Sequence, residues 1–143
     1  MITLDPRLLN DCELIGKFTL CQVLLMRDAN YLWCVLVPDR EGMSEVFDLS
    51  EEEQKQLSLE SNTLLDYLKR EFNADKMNVA ALGNVVPQLH IHHIARYETD
   101  IAWPRPVWGA FPAKGYSDDE LKDRVKLLVK GFKTLNLGFQ PVM

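Results

Sequence analysis

The stretch Gln88-Leu89-His90-Ile91-His92-His93-Ile94 holds all three histidines of the chain within four positions. A neutral imidazole is at once a base, a nucleophile and a metal ligand near neutral pH, so chemistry is sought here first. Along an extended strand side chains alternate between faces, which puts Gln88, His90 and His92 on one face and Leu89, Ile91 and His93 on the other. Neighbours in such a row lie about 6.5–7 Å apart. A polar row on an otherwise apolar strand costs free energy unless something pairs with it. Three arrangements would account for it. In nucleophilic catalysis one imidazole nitrogen attacks phosphorus while its neighbour stabilises the phosphoryl oxygens. In a metal site His-x-His places two nitrogens on one ion, although no third soft ligand lies nearby in the sequence. In the third arrangement the strand faces solvent and its histidines do no chemistry. His93, on the opposite face, reads as a packed or surface residue.

The flanking sequence must position that row. Asp5 before Pro6 opens a short helix, and Leu8, Leu9, Cys12 and Ile15 carry it through about Ile15. FTLCQVLLMRD and YLWCVLVP, separated by Asp28, Ala29 and Asn30, read as an antiparallel hairpin whose second strand ends at Pro38. EVFDL reads as a short strand. Ser50 with Glu53 forms a capping box for a long helix burying Leu57, Leu64, Leu65, Leu68 and Phe72. MNVAAL reads as a third strand, Gly83 and Asn84 as a turn, and VVPQLHIHHIARY as a fourth strand, that of the polar row. ETDIAWPRPVWGAFPAKGY, rich in Pro, Trp and Gly, is ordered but irregular. Ser117 with Glu120 caps a last helix that buries Leu121, Val125, Leu128 and Phe132.

These elements give an α+β fold of roughly five mostly antiparallel strands, with a long helix packed on one face and additional N- and C-terminal helices. The 143 residues, 47% hydrophobic and 26% charged, suit one globular domain and exclude a disordered or disulfide-stapled chain. Cys12, Cys21 and Cys34 form no CxxC pair, which points to buried thiols in a reducing, cytoplasmic setting. Asp5 and Asp11 stand where a signal peptide would need a basic and then an apolar region, and no stretch approaches the ~20 apolar residues of a membrane helix. A net charge of −5 argues against a nucleic-acid partner. An anionic ligand must therefore be held by local groups. Arg96, Arg105 and Lys114 are cationic candidates, with an idle surface role as the alternative for each. Trp103 and Trp108 either close over a ligand or pack their segment onto the core.

VVPQLHIHHIAR resembles the signature strand of the histidine triad (HIT) family, in which His-φ-His-φ-His-φ follows a Val-rich turn and often precedes Ile-x-Arg. Matching Pro87, Leu89, Ile94 and Arg96 to the usual flanks puts Gln88 at the first triad position, His90 at the second and His92 at the third. A weaker likeness runs through the hairpin ending in CVLVP, VFDL before the long helix, and the strand with Asn78. It covers about residues 17–97 of a single domain spanning 1–143, with 98–143 as a C-terminal extension.

The resemblance implies hydrolysis or nucleotidyl transfer at a nucleoside phosphoester, phosphoramidate or anhydride. His90 would attack the α-phosphorus to give a nucleotidyl-histidine, and His92 would assist at the phosphoryl oxygens and the leaving group. Gln88 would occupy the place of an orienting imidazole with a carboxamide that cannot take up a proton. Asn78 and Asn84 would lie near the phosphate, and the first hairpin, at Met26 and Arg27, would line the base and ribose pocket. No cofactor and no metal are implied, and two copies would join their sheets side by side as a homodimer. A nucleotide-binding module without turnover, and a metalloprotein using His90, His92 and His93, are the alternatives.

Overall fold

The computed structural model describes residues 1–142 as one six-stranded, wholly antiparallel sheet in the order β4-β5-β3-β2-β1-β6, with helices on both faces. The strands are β1 (Cys12–Lys17), β2 (Cys21–Met26), β3 (Leu32–Pro38), β4 (Lys76–Ala80), β5 (Ile91–Arg96) and β6 (Gln140–Pro141). Three α-helices accompany them: α1 (Pro6–Asp11), α2 (Glu51–Glu71) and α3 (Asp118–Phe132). β4 lies at one end of the sheet and β6 at the other.

Elements with local signals form as the sequence predicts. β2 and β3 pair antiparallel from Cys21–Pro38 to Leu25–Cys34. Ser50 and Glu53 cap α2 reciprocally, and Ser117 and Glu120 do the same for α3, each box satisfying two backbone donors that a helix start leaves unpaired.

Three expectations are corrected. The first helix ends at Asp11, because Cys12–Lys17 is drawn into the sheet as β1 beside β2. Gly16 sits at the register shift in β1, where a Cβ would strike the backbone at Gln140 and the ring of Phe139. EVFDL is a single 3-10 turn over Val46–Asp48, because the Asp48 carboxylate accepts the backbone N–H groups of Ser44 and Glu45 and so competes with strand pairing. β5 starts only at Ile91; Pro87 has no N–H to donate, and Leu89 N–H bonds out to Met43. The sheet has six strands, with β1 and β6 added at one end.

Alternation along β3 and β5 sorts the core into two layers. On one face Leu32, Cys34, Leu36, Ile91 and Ala95 pack under α2 and α3 around Leu64, Leu68, Leu128 and Phe132. On the other, Trp33, Val35, Val37 and Ile94 pack against Leu8 of α1 and against Ala102 and Val107 of the irregular segment. That second layer is incomplete beyond His92, and the gap is the site.

Candidate functional site

His90 and His92 open into a cavity of about 810 Å³ on the face of the sheet away from α2. Its walls come from α1 (Arg7, Leu8, Asp11), the β2–β3 turn (Met26, Arg27, Asp28), residues 82–86, and residues 107–113 including Trp108. The two imidazoles are nearly covered, 7% and 5% exposed, and meet edge to face with ring centres 5.0 Å apart.

Hydrogen bonds to the inward nitrogens fix the role of each ring. His90 Nδ1–H donates to the main-chain carbonyl of Gln88 at 2.7 Å; a carbonyl only accepts, so Nδ1 carries a proton and, in the neutral ring, the lone pair is on Nε2. In His92 the pattern is reversed. The Trp33 indole N–H, which can only donate, bonds His92 Nδ1 at 2.9 Å, leaving the ring proton on Nε2. Burial above all, then the neighbouring charges of His90 and His93, depresses the pKa of His92 to about 3, so it is neutral throughout the physiological range. One ring thus offers an unprotonated nitrogen, and the next offers an N–H donor.

Trp108 closes the cavity edge-on to both partners, 5.2 Å from His92 and 5.8 Å from Trp33 between ring centres. Its segment is anchored at both ends. Near the start, the buried Arg96–Asp100 pair is bidentate, with Arg96 also donating to Asn78 and to the Arg105 carbonyl, while Asp100 accepts the N–H groups of Tyr97, Ala102 and Trp103. Such a pair is tolerated in the interior because its remaining donors and acceptors are bonded. Near the end, Asp28 accepts the Lys114 N–H and Ala29 N–H donates to the Lys114 carbonyl.

The structure does not bring all the singled-out residues together. His90, His92, Asn84 and Trp108 line the cavity, as do Met26 and Arg27. Asn78 is bound to Arg96, and Trp103 lies against the same guanidinium at 5.8 Å, so both belong to the anchor. The Gln88 carboxamide is turned out of the row: its Oε1 accepts Asp5 N–H at 2.8 Å and its Nε2 donates to Thr3 O at 3.1 Å. His93 is fully buried on the helix face, with Nδ1–H donated to Ile91 O and Nε2 bonded to the Ser61 hydroxyl of α2 at 2.7 Å. Both nitrogens of His93 are thereby occupied. Among the described residues no group of three His, Cys, Asp or Glu side chains is placed to hold a metal ion.

Trp33 and Arg7 are site residues that the sequence did not single out. Trp33 looked like one more apolar residue of β3; only the pairing of Val35 with His92 reveals that Trp33 lies diagonally across from the imidazole on the same face. Arg7 reaches the cavity through a fold in the first eleven residues that no local pattern encodes.

A family model described as HIT domain matches residues 7–99. Solved structures agree. The chain is 44% identical to a histidine triad protein from Marinobacter aquaeolei VT8, with a TM-score of 0.91 and coverage of 94% of this chain and 98% of that one. It is 43% identical to a histidine triad protein from Bradyrhizobium japonicum, with a TM-score of 0.87 and coverage of 90% and 96%. A histidine triad (HIT) protein from Sinorhizobium meliloti 1021 is 41% identical, with a TM-score of 0.88 and coverage of 92% and 97%. No curated protein matches the chain.

Proposed function

The chain belongs to the HIT domain family, and from that premise we propose that it is a nucleotide hydrolase or nucleotidyl transferase working through a covalent nucleotidyl-histidine on His90. The observation that carries this reading is the opposed protonation of the two cavity imidazoles. His90 Nε2 attacks the α-phosphorus of a bound nucleoside phosphoester, phosphoramidate or anhydride, forming an N–P bond as the bond to the leaving group breaks. His92 Nε2–H donates a hydrogen bond to a phosphoryl oxygen or the bridging atom, where negative charge grows. With its pKa near 3, His92 acts as a fixed neutral donor and does not carry a proton on and off the ring. Water then cleaves the N–P bond and releases the nucleoside monophosphate, or a second acceptor takes the nucleotidyl group.

The usual orienting task at the first triad position falls here to the Gln88 main-chain carbonyl, so the side chain at that position need not be an imidazole for His90 to be presented correctly. The apolar and aromatic wall formed by Leu8, Met26, Val107, Trp108 and Phe111 suits the flat face of a nucleobase. The test is intact-mass analysis of wild type and His90→Ala after brief exposure to an adenosine phosphoramidate or a dinucleoside polyphosphate, with product release followed in parallel. The expected result is an adduct of one nucleotidyl group in wild type and neither adduct nor turnover in His90→Ala. Nucleotide binding without an adduct or turnover in wild type would leave a binding module in place of an enzyme.

A further inference from the structure

The Gln88 carboxamide bridges Thr3 and Asp5 as a strand neighbour would, fastening the segment before α1 to the residues that lead into His90. Asp5 passes this attachment on. Its carboxylate caps α1 by accepting Arg7 N–H and grips the Arg7 guanidinium through both oxygens, Oδ1 to Nε at 3.1 Å and Oδ2 to Nη2 at 3.0 Å. Arg7 Nη1 donates onward to Val85 O at 2.7 Å. The guanidinium is thus tied on two sides to the chain between Val85 and Gln88, and it lines the cavity. Arg7, through its guanidinium and its backbone N–H, holds the Asp5 carboxyl below the usual range.

A guanidinium has five N–H groups, and three of Arg7's are used in these bonds, one at Nε and one at each Nη. Each Nη therefore keeps one N–H to offer, in a group already fixed in place. The other arginine of the cavity wall differs in position. Arg27 is bound by Leu9 O, Asn10 O and Glu13 at the far end, beside β1. Arg7 is the cation tied to the chain that runs from Val85 through Gln88 to His90.

We propose that Arg7 binds the phosphate that leaves, favouring nucleoside polyphosphates over substrates with an uncharged leaving group, and that Gln88 is the positioning residue that holds Arg7 there. This rests on the nucleotide reading above. A distal phosphate, linked through oxygen to the α-phosphorus under attack, stays within the cavity that Arg7 and His90 both line. Two N–H donors in a fork match two of its oxygens.

The experiment is calorimetric titration of the full chain with AMP and with its uncleavable α,β-methylene diphosphate analogue, repeated with the guanine pair. Wild type is expected to prefer the diphosphate by about tenfold, the scale of one charge-assisted hydrogen-bonded contact. In Arg7→Ala that preference collapses towards equality, in Arg7→Lys it is only partly restored, and Gln88→Ala moves it in the same direction while exposing the Arg7–Leu8 bond to trypsin. A preference that persists in Arg7→Ala overturns the proposal, as does a wild type that binds both ligands equally. A wild type that binds none of the four nucleotides overturns the nucleotide reading itself, a result distinct from both.

Discussion

His92 and His93 are adjacent in sequence and both are buried neutral rings, yet they sit in two different regions of the molecule. Burial holds both well below the ordinary histidine range, His92 at about 3 and His93 at about 4. A depressed pKa therefore does not separate a functional imidazole from a structural one here, although such shifts gather at active sites. The separation lies in what is left over. His93 spends both nitrogens on Ile91 and Ser61 under α2, whereas His92 spends one on Trp33 and keeps its other N–H facing an open cavity.

Crossed alanine substitutions test that contrast most severely. His92→Ala is expected to cut turnover by about 10²–10³-fold, as loss of one fixed donor to developing charge does elsewhere, while costing less stability than His93→Ala because the space and the freed Trp33 N–H adjoin the cavity. His93→Ala is expected to cost about 2–4 kcal/mol of folding stability, from the space left and the unpaired Ser61 hydroxyl, while KM changes little. Denaturant melts and steady-state kinetics on both variants check this, and similar behaviour of the two would dissolve the comparison.

A finer test concerns Trp33→Phe, which removes one N–H and retains an aromatic ring of the same sheet position. Turnover is expected to fall about three- to tenfold, the worth of a single buried hydrogen bond, and the acid limb of the pH–rate profile to move up as His92 becomes easier to protonate. An unchanged profile would show that the indole does not govern the ring.

The contrast also has a consequence for stability in acid. Both folded values lie below the unfolded histidine value of about 6.5, so between them the unfolded chain binds more protons. The stabilisation is full above pH 6.5 and is lost as the pH falls towards 4 and then 3. Two such groups give a limiting slope of about 2.7 kcal/mol per pH unit, and His93→Gln should reduce it to about half. Unfolding free energies measured from pH 7 to 4 decide this; an unaltered slope in His93→Gln would assign the protons elsewhere.

What could be read in the sequence was whatever is encoded locally. Two capping boxes, one hairpin and the alternation through His90, His92 and His93 depend on residues within a few positions of each other, and all appear in the structure. Cys12 to Lys17 could not be assigned in this way, because Leu8, Leu9, Cys12 and Ile15 fit a helical stripe and only pairing with β2 makes a strand of the second half. The fate of Gln88 was hidden for the same reason: its side chain is committed to residues 83 and 85 positions away. Sequence alternation locates the row, and the distant contacts determine which members face the cavity.

The tryptophans give the site an optical signature. Of the three in the chain, Trp33 donates to His92 and Trp108 stands edge-on to the same ring, while Trp103 lies against Arg96 outside the cavity. Trp33 and Trp108 both line the cavity, so a ligand that fills it changes the surroundings of both indoles. Two of the three indoles thus contact one imidazole, and the intrinsic ultraviolet emission of the unlabelled protein is a readout through which occupancy of the cavity can be sought in real time.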